Sequence, residues 1–100
     1  MKEEIFNQYV ERVCDMFGIS TSDFYTKSKK RELADARHLV YYLCVDRNIE
    51  IVYIQKFMSN NGYVTPHSTI SHGVSIVREK VSSDPDYSHV VKEMNKAVFI

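Results

Sequence analysis

Thr65-Pro66-His67-Ser68-Thr69-Ile70-Ser71-His72-Gly73-Val74-Ser75-Ile76-Val77-Arg78-Glu79-Lys80 is the stretch whose reading decides the fold. It reads as a helix with a marked start. Thr65 is placed to cap the first amide groups, and Pro66 suits the first helical position, where its missing N–H leaves no bond unmade. Ile70, Val74, Val77 and Val81 recur at helical spacing as a narrow apolar stripe. At about 100° per residue, Ser68, His72, Ser75 and Glu79 fall on the opposite face. Short hydroxyls and an imidazole near a helix N-terminus are groups that a major-groove reader presents to base edges. A merely solvated helix more often carries Lys and Glu there. By pattern alone, both a DNA-reading helix and a polar surface helix remain open.

Upstream, Ile51, Ile54, Phe57 and Met58 mark a shorter helix over about residues 50–58. Ser59-Asn60-Asn61-Gly62-Tyr63-Val64 follows as a turn, Asn-Gly being a strong breaker. Two helices joined by a turn, the second polar on its outer face, make a helix-turn-helix. Before them comes a longer helix, about 31–47, with Leu33, Ala36, Val40, Leu43 and Cys44 facing inward. The chain opens on an amphipathic helix over about 3–17, and Gly18 suits the left-handed position past its end. Ser20-Thr21-Ser22-Asp23 resembles a capping box and starts a single turn through Phe24 and Tyr25. Ser83-Asp84-Pro85 caps a last helix, about 85–96. With no repeat, linker or low-complexity segment, residues 1–100 read as one all-α domain, a small helical bundle containing the helix-turn-helix.

The apolar content of 44% and charged content of 26% are those of a folded, non-fibrous chain. No stretch approaches the roughly 20 apolar residues of a membrane helix, and the first residues form no signal peptide, so a cytoplasmic protein is expected. Cys14 and Cys44 lie among apolar helical residues and read as buried free thiols. The formal net charge is zero, but its distribution is uneven. Residues 1–26 carry two positive and five negative charges, residues 27–37 five positive and two negative, and residues 38–100 six of each. The positive charge is therefore local, concentrated in Thr26-Lys27-Ser28-Lys29-Lys30-Arg31 and Arg37. Basic side chains beside a helix N-terminus can clamp phosphate, and an Arg on a flexible loop can enter a narrow minor groove. A solvated basic loop is the plain alternative.

Other chemistry finds little support. His67 and His72 are five apart, about 140° around a helix, which is poor geometry for one metal ion. His38 and His89 have no Cys or carboxylate pattern beside them. Cys44 continues the apolar face of its helix and reads as core, not as a nucleophile. Tyr41, Tyr42, Tyr53 and Tyr63 could stack on single-stranded bases, but half-buried helical positions account for most of them. No enzyme, metal or cofactor is expected.

The motifs taken together resemble those of the C-terminal DNA-binding domain of the bacterial replication initiator DnaA, a helix-turn-helix of the Trp-repressor-like type, over about residues 10–88. His67-Ser68-Thr69-Ile70-x-His72-Gly73 is similar to that family's His-Thr-Thr-Val-x-His-Ala signature. Phe17-Gly18-Ile19-Ser20-x-x-Asp23-Phe24 is similar to its Tyr-Gly-Ile-Ser-x-x-Asp-Leu. Lys27-x-Lys29-x-Arg31 and Ala34-x-Ala36-Arg37-His38 resemble its basic loop and the following helix start. The resemblance implies that Arg31 enters the minor groove, that Lys27, Lys29 and Arg37 lie near the DNA backbone, and that His67, Ser68 and Thr69 read the major groove. Lys30 and His72 join this DNA-binding set by position. Three departures stand out: a turn about four residues longer than the family's, Pro66 in place of an acidic residue, and Ser68 in place of a Thr. The chain also lacks the Gly-x-x-x-x-Gly-Lys loop of the initiator's ATPase module. The expectation is a stand-alone domain that binds double-stranded DNA with sequence preference, in replication control or transcription regulation. The alternative is an interaction module that engages replication or regulatory proteins without DNA.

Overall fold

The computed structural model describes residues 1–98, and among these it contains helices and no strand. In chain order they are α1 (Lys2–Phe17), α2 (Thr21–Phe24), α3 (Arg31–Asp46), α4 (Ile51–Asn60), α5 (His67–Ser83) and α6 (Pro85–Lys96). Local sequence explains most boundaries. α1 ends where Gly18 turns left-handed at φ 68°, and Ile19 N–H reaches back to the Cys14 carbonyl at 3.0 Å. α4 ends in the same way: Gly62 adopts φ 82° and Tyr63 N–H donates to the Met58 carbonyl at 3.0 Å. Ser20 caps α2 by accepting from Asp23 N–H at 3.0 Å, and Asp84 caps α6 by accepting from Asp86 N–H at 3.0 Å. α3 ends without a glycine. Asn48 takes the left-handed conformation, φ 66°, which Asn tolerates better than most residues.

α3 is the axis of the bundle. Eight of its sixteen residues are buried, and it packs against α5 on one side and α1 on another. Phe6, Tyr9 and Val13 of α1, Leu39, Val40 and Leu43 of α3, Ile54 and Met58 of α4, and Ile70 and Val77 of α5 share one core. α6 adds Val91 to it. Tyr9 is tied across the bundle, its hydroxyl donating to Asn95 Oδ1 at 2.5 Å and accepting from Arg47 at 3.2 Å. The apolar stripe of α5 behaves as its spacing requires: Ile70, Val74 and Val77 are buried while Ser68, His72, Ser75 and Glu79 are exposed.

The start of α5 differs from expectation by one residue. Pro66 occupies the cap position with extended backbone (φ −71°, ψ 155°), and the helix begins at His67. Thr65 does not cap. It is buried one position earlier, and its carbonyl accepts from Gln55 Nε2 at 3.1 Å. A residue before proline is disfavoured in the helical region, which delays the first turn. Among the described residues, no helix is long and apolar enough to cross a membrane. Cys14 and Cys44 are buried free thiols, and burial pushes the Cys14 thiol up to about 11 and the Cys44 thiol further up still.

Candidate nucleic-acid interface

The close packing of α5 on α3 sets where the polar face of α5 sits. Gly73 faces α3 at the crossing, and a methyl group there would stand 2.6 Å from His38 Cδ2 and 3.2 Å from Tyr41 Cδ2. The absence of a side chain is what lets the His38 ring fit between the helices. Burial pushes the His38 imidazole below its ordinary pKa. Asp35 opposes that shift, while His72, Lys80 and Arg37 add to it. With α5 seated this way, His67, Ser68, Thr69 and His72 are all exposed. No side chain caps the helix, and of its first-turn N–H groups that of Thr69 donates to the Pro66 carbonyl at 3.2 Å.

The basic segment between α2 and α3 is not loose. Arg37 of α3 is 4% exposed, and its guanidinium reaches back under the segment. Its Nε donates to the Phe24 carbonyl at 3.0 Å, and its Nη2 to the Thr26 and Ser28 carbonyls at 2.7 and 3.1 Å. Thr26 Oγ1 donates to the Ser22 carbonyl at 2.8 Å, and Ser28 Oγ accepts from Lys30 N–H at 3.2 Å. The segment expected to be a flexible loop is thus held in shape, with the Arg37 guanidinium beneath it. A buried cation that satisfies three carbonyls is a clamp for the loop.

The loop also meets the turn before α5. Lys27 Nζ donates to the Val64 carbonyl and lies 4.1 Å from the centre of the Tyr63 ring. Arg37 lies 4.8 Å from the same ring, so Tyr63 serves two cations at once. Ser28, Lys29, Arg37, His38, Tyr63 and Thr69 line one recess of about 230 Å³. A lysine of the loop and a threonine of the first turn of α5 therefore border the same hollow. Lys29, Lys30 and Arg31 are exposed, and among the described residues ion pairs occur only on α6. Among the described residues, no group of three or more His, Cys, Asp or Glu is placed to hold a metal ion.

The helix-turn-helix of α4 and α5 has a counterpart among known families. A family model described as the bacterial DnaA protein helix-turn-helix matches residues 7–77. The chain belongs to that family. The match runs from within α1 to the third buried residue of the α5 stripe, leaving α6 outside it. The chain is 29% identical over 90 residues to the chromosomal replication initiator protein DnaA of Lachnoclostridium phytofermentans, which covers 89% of this chain and 19% of that protein. It is 30% identical over 83 residues to that of Bacteroides thetaiotaomicron, covering 82% and 17%. It is 27% identical over 88 residues to that of Chlorobaculum tepidum, covering 88% and 17%. The chain thus spans about a fifth of the length of the DnaA relatives it matches. No solved structure matches it.

Within this DnaA-family fold, sequence reasoning missed the tie between loop and turn. Lys27 and Val64 are 37 residues apart, and no local period links them. Tyr63 could have been suspected as an aromatic next to the Asn-Gly break, but nothing in the pattern announces that it lies under two cations. The recess likewise joins residues that only the packing of α3 on α5 brings together.

Proposed function

We propose that this domain binds double-stranded DNA with sequence preference, in the cytoplasm, in replication control or transcription regulation. The observation that carries this reading is the shared recess, in which Lys29 of the basic loop and Thr69 of α5 border one hollow. A duplex presents two kinds of surface side by side, and a loop and a helix start set this close can meet both. In this reading Arg31 enters the minor groove, where a narrow A·T-rich groove concentrates negative potential. Lys29 and Lys30 meet phosphates. His67, Ser68 and Thr69, with His72 one turn later, face the base edges of the adjacent major groove. Lys27 and Arg37 act one step back. They fix the loop to the turn and to α3, so that the cations and the helix arrive in one register.

The test is fluorescence anisotropy with duplexes selected by the protein from a randomised pool, random duplexes and single strands, at two salt concentrations. Arg31→Ala should weaken every duplex and erase the preference for A·T-rich flanks. His67→Ala should relax the preference at one or two base pairs, by about 1–3 kcal/mol for a good contact, and leave random-duplex binding nearly unchanged. Wild type that binds no duplex more tightly than about 10⁻⁴ M, the weak limit for non-specific contacts, would refute the reading and leave a module for protein partners.

A further inference from the structure

The turn between α4 and α5 carries a side chain that neither the fold nor the roles above use. Val64 is 70% exposed, the most exposed large hydrophobic residue among the described residues apart from Met1. A lone exposed valine ordinarily needs no explanation. This one is held out by anchored neighbours on both sides. Before it, Tyr63 N–H donates to the Met58 carbonyl and the Tyr63 ring lies against the cations of Lys27 and Arg37. At Val64 itself, the carbonyl accepts from Lys27 Nζ. After it, Thr65 is buried, its carbonyl accepts from Gln55, and Pro66 stiffens the chain into His67. The exposure is thus fixed by the backbone and is not the slack of a mobile turn.

The place is equally defined. Val64 stands three residues before His67 and on the carbonyl that ties the basic loop to the turn, so it borders both parts of the surface assigned to the duplex. Of the groups a major groove offers, one is apolar: the 5-methyl of thymine. We propose that Val64 is a specificity-determining residue that covers a thymine 5-methyl at the edge of the base pairs read by α5. This inference rests on the duplex-binding reading, and it assigns to the lengthened turn a role in choosing the sequence.

The test replaces each thymine of a selected duplex, one at a time, by deoxyuridine, which removes the methyl and keeps the pairing edge. One position should weaken wild-type binding about fourfold, the factor that goes with returning a single buried methyl to water. Val64→Ala should bring the thymine-to-uracil ratio at that position close to one. Because the side chain is exposed, Val64→Ala should keep the wild-type melting temperature and the wild-type salt dependence. If duplexes still bind but no thymine matters, or the ratio is the same in Val64→Ala, the role of Val64 is overturned and duplex binding stands. If the protein selects and binds no duplex at all, both fall together.

Discussion

Arg37→Ala separates two roles for the same residue. A phosphate contact would leave stability unchanged and lower the slope of log K against log salt by about 0.9. A clamp would do the opposite. The structure shows one fully buried and two part-buried hydrogen bonds from the guanidinium to the carbonyls of Phe24, Thr26 and Ser28. Hydrogen bonds from a charged donor contribute about 1.5–3 kcal/mol each when buried. Water can reach two of these carbonyls once the side chain is gone, so a total of about 3 kcal/mol is expected for all three. The loss of stem packing and of the Tyr63 contact adds to that. Against a stability of about 5–15 kcal/mol for a small domain this is a large fraction, and it corresponds to a fall of at least 12 °C or so in Tm. Arg37→Lys keeps the charge but cannot span three carbonyls from one nitrogen, and should recover less than half of the loss. Urea unfolding followed by circular dichroism at 25 °C measures both variants. A loss below about 1 kcal/mol in Arg37→Ala would show that the loop holds its shape without the clamp.

Three further outcomes follow from other contacts. Gly73→Ala should destabilise wild type, because overpacking against His38 costs about 1–3 kcal/mol and the better helix propensity of Ala returns about 1. In a His38→Ala background the same change should stabilise, and a double-mutant cycle by urea unfolding that shows no change of sign would refute the crossing geometry. His38 has its folded-state pKa below its ordinary value of about 6.5, so the unfolded chain binds the proton more readily. Stability should therefore fall as pH drops from about 7 through and below the ordinary histidine range, level off above it, and lose that component of its pH dependence in His38→Gln. Replacing Lys29 and Lys30 together by Ala should reduce the salt slope by about 1.8 for every duplex alike, and an unchanged slope would remove the loop from the interface.

The helices were legible because their signals are local. The Ile70, Val74, Val77 stripe, the left-handed Gly18, the Asn61-Gly62 break and the Asp84-Pro85 start each depend on residues within one turn. So was the outward face of α5, since Ser68, His72, Ser75 and Glu79 follow from the same 100° step that buries the stripe. The end of α3 falls within a residue of the expected bound, whereas the left-handed Asn48 beyond it was not legible, because Asn at that position carries no fixed meaning until the chain turns there. Thr65 was misread because a cap and a buried pre-proline residue look alike in sequence. Arg37 was read as a surface cation because a charge is ordinarily on the surface. Its burial depends on carbonyls 9 to 13 residues away meeting it in space. What stayed hidden is long-range polar contact, which has no period.

A zero net charge does not stand against a polyanionic partner, because screening confines each charge to about 8 Å at physiological salt. What counts is the cations that reach the surface without an acidic partner. In the basic segment these are Lys29, Lys30 and Arg31, since Lys27 is engaged by Val64 and Tyr63, and Arg37 is buried. With Arg31 in the minor groove, phosphate contacts from Lys29 and Lys30 would give a slope of about 1.8, and so a loss of about twelvefold in affinity between 50 and 200 mM salt. Proteins that make 6–10 such contacts lose about 10³ to 10⁵ over the same range. On the proposed reading, the sequence-independent grip of the basic segment on a duplex would therefore be weak. On the reading proposed above, selection would then rest on Arg31 in the minor groove and on His67, Ser68, Thr69 and the turn that leads into them at the base edges.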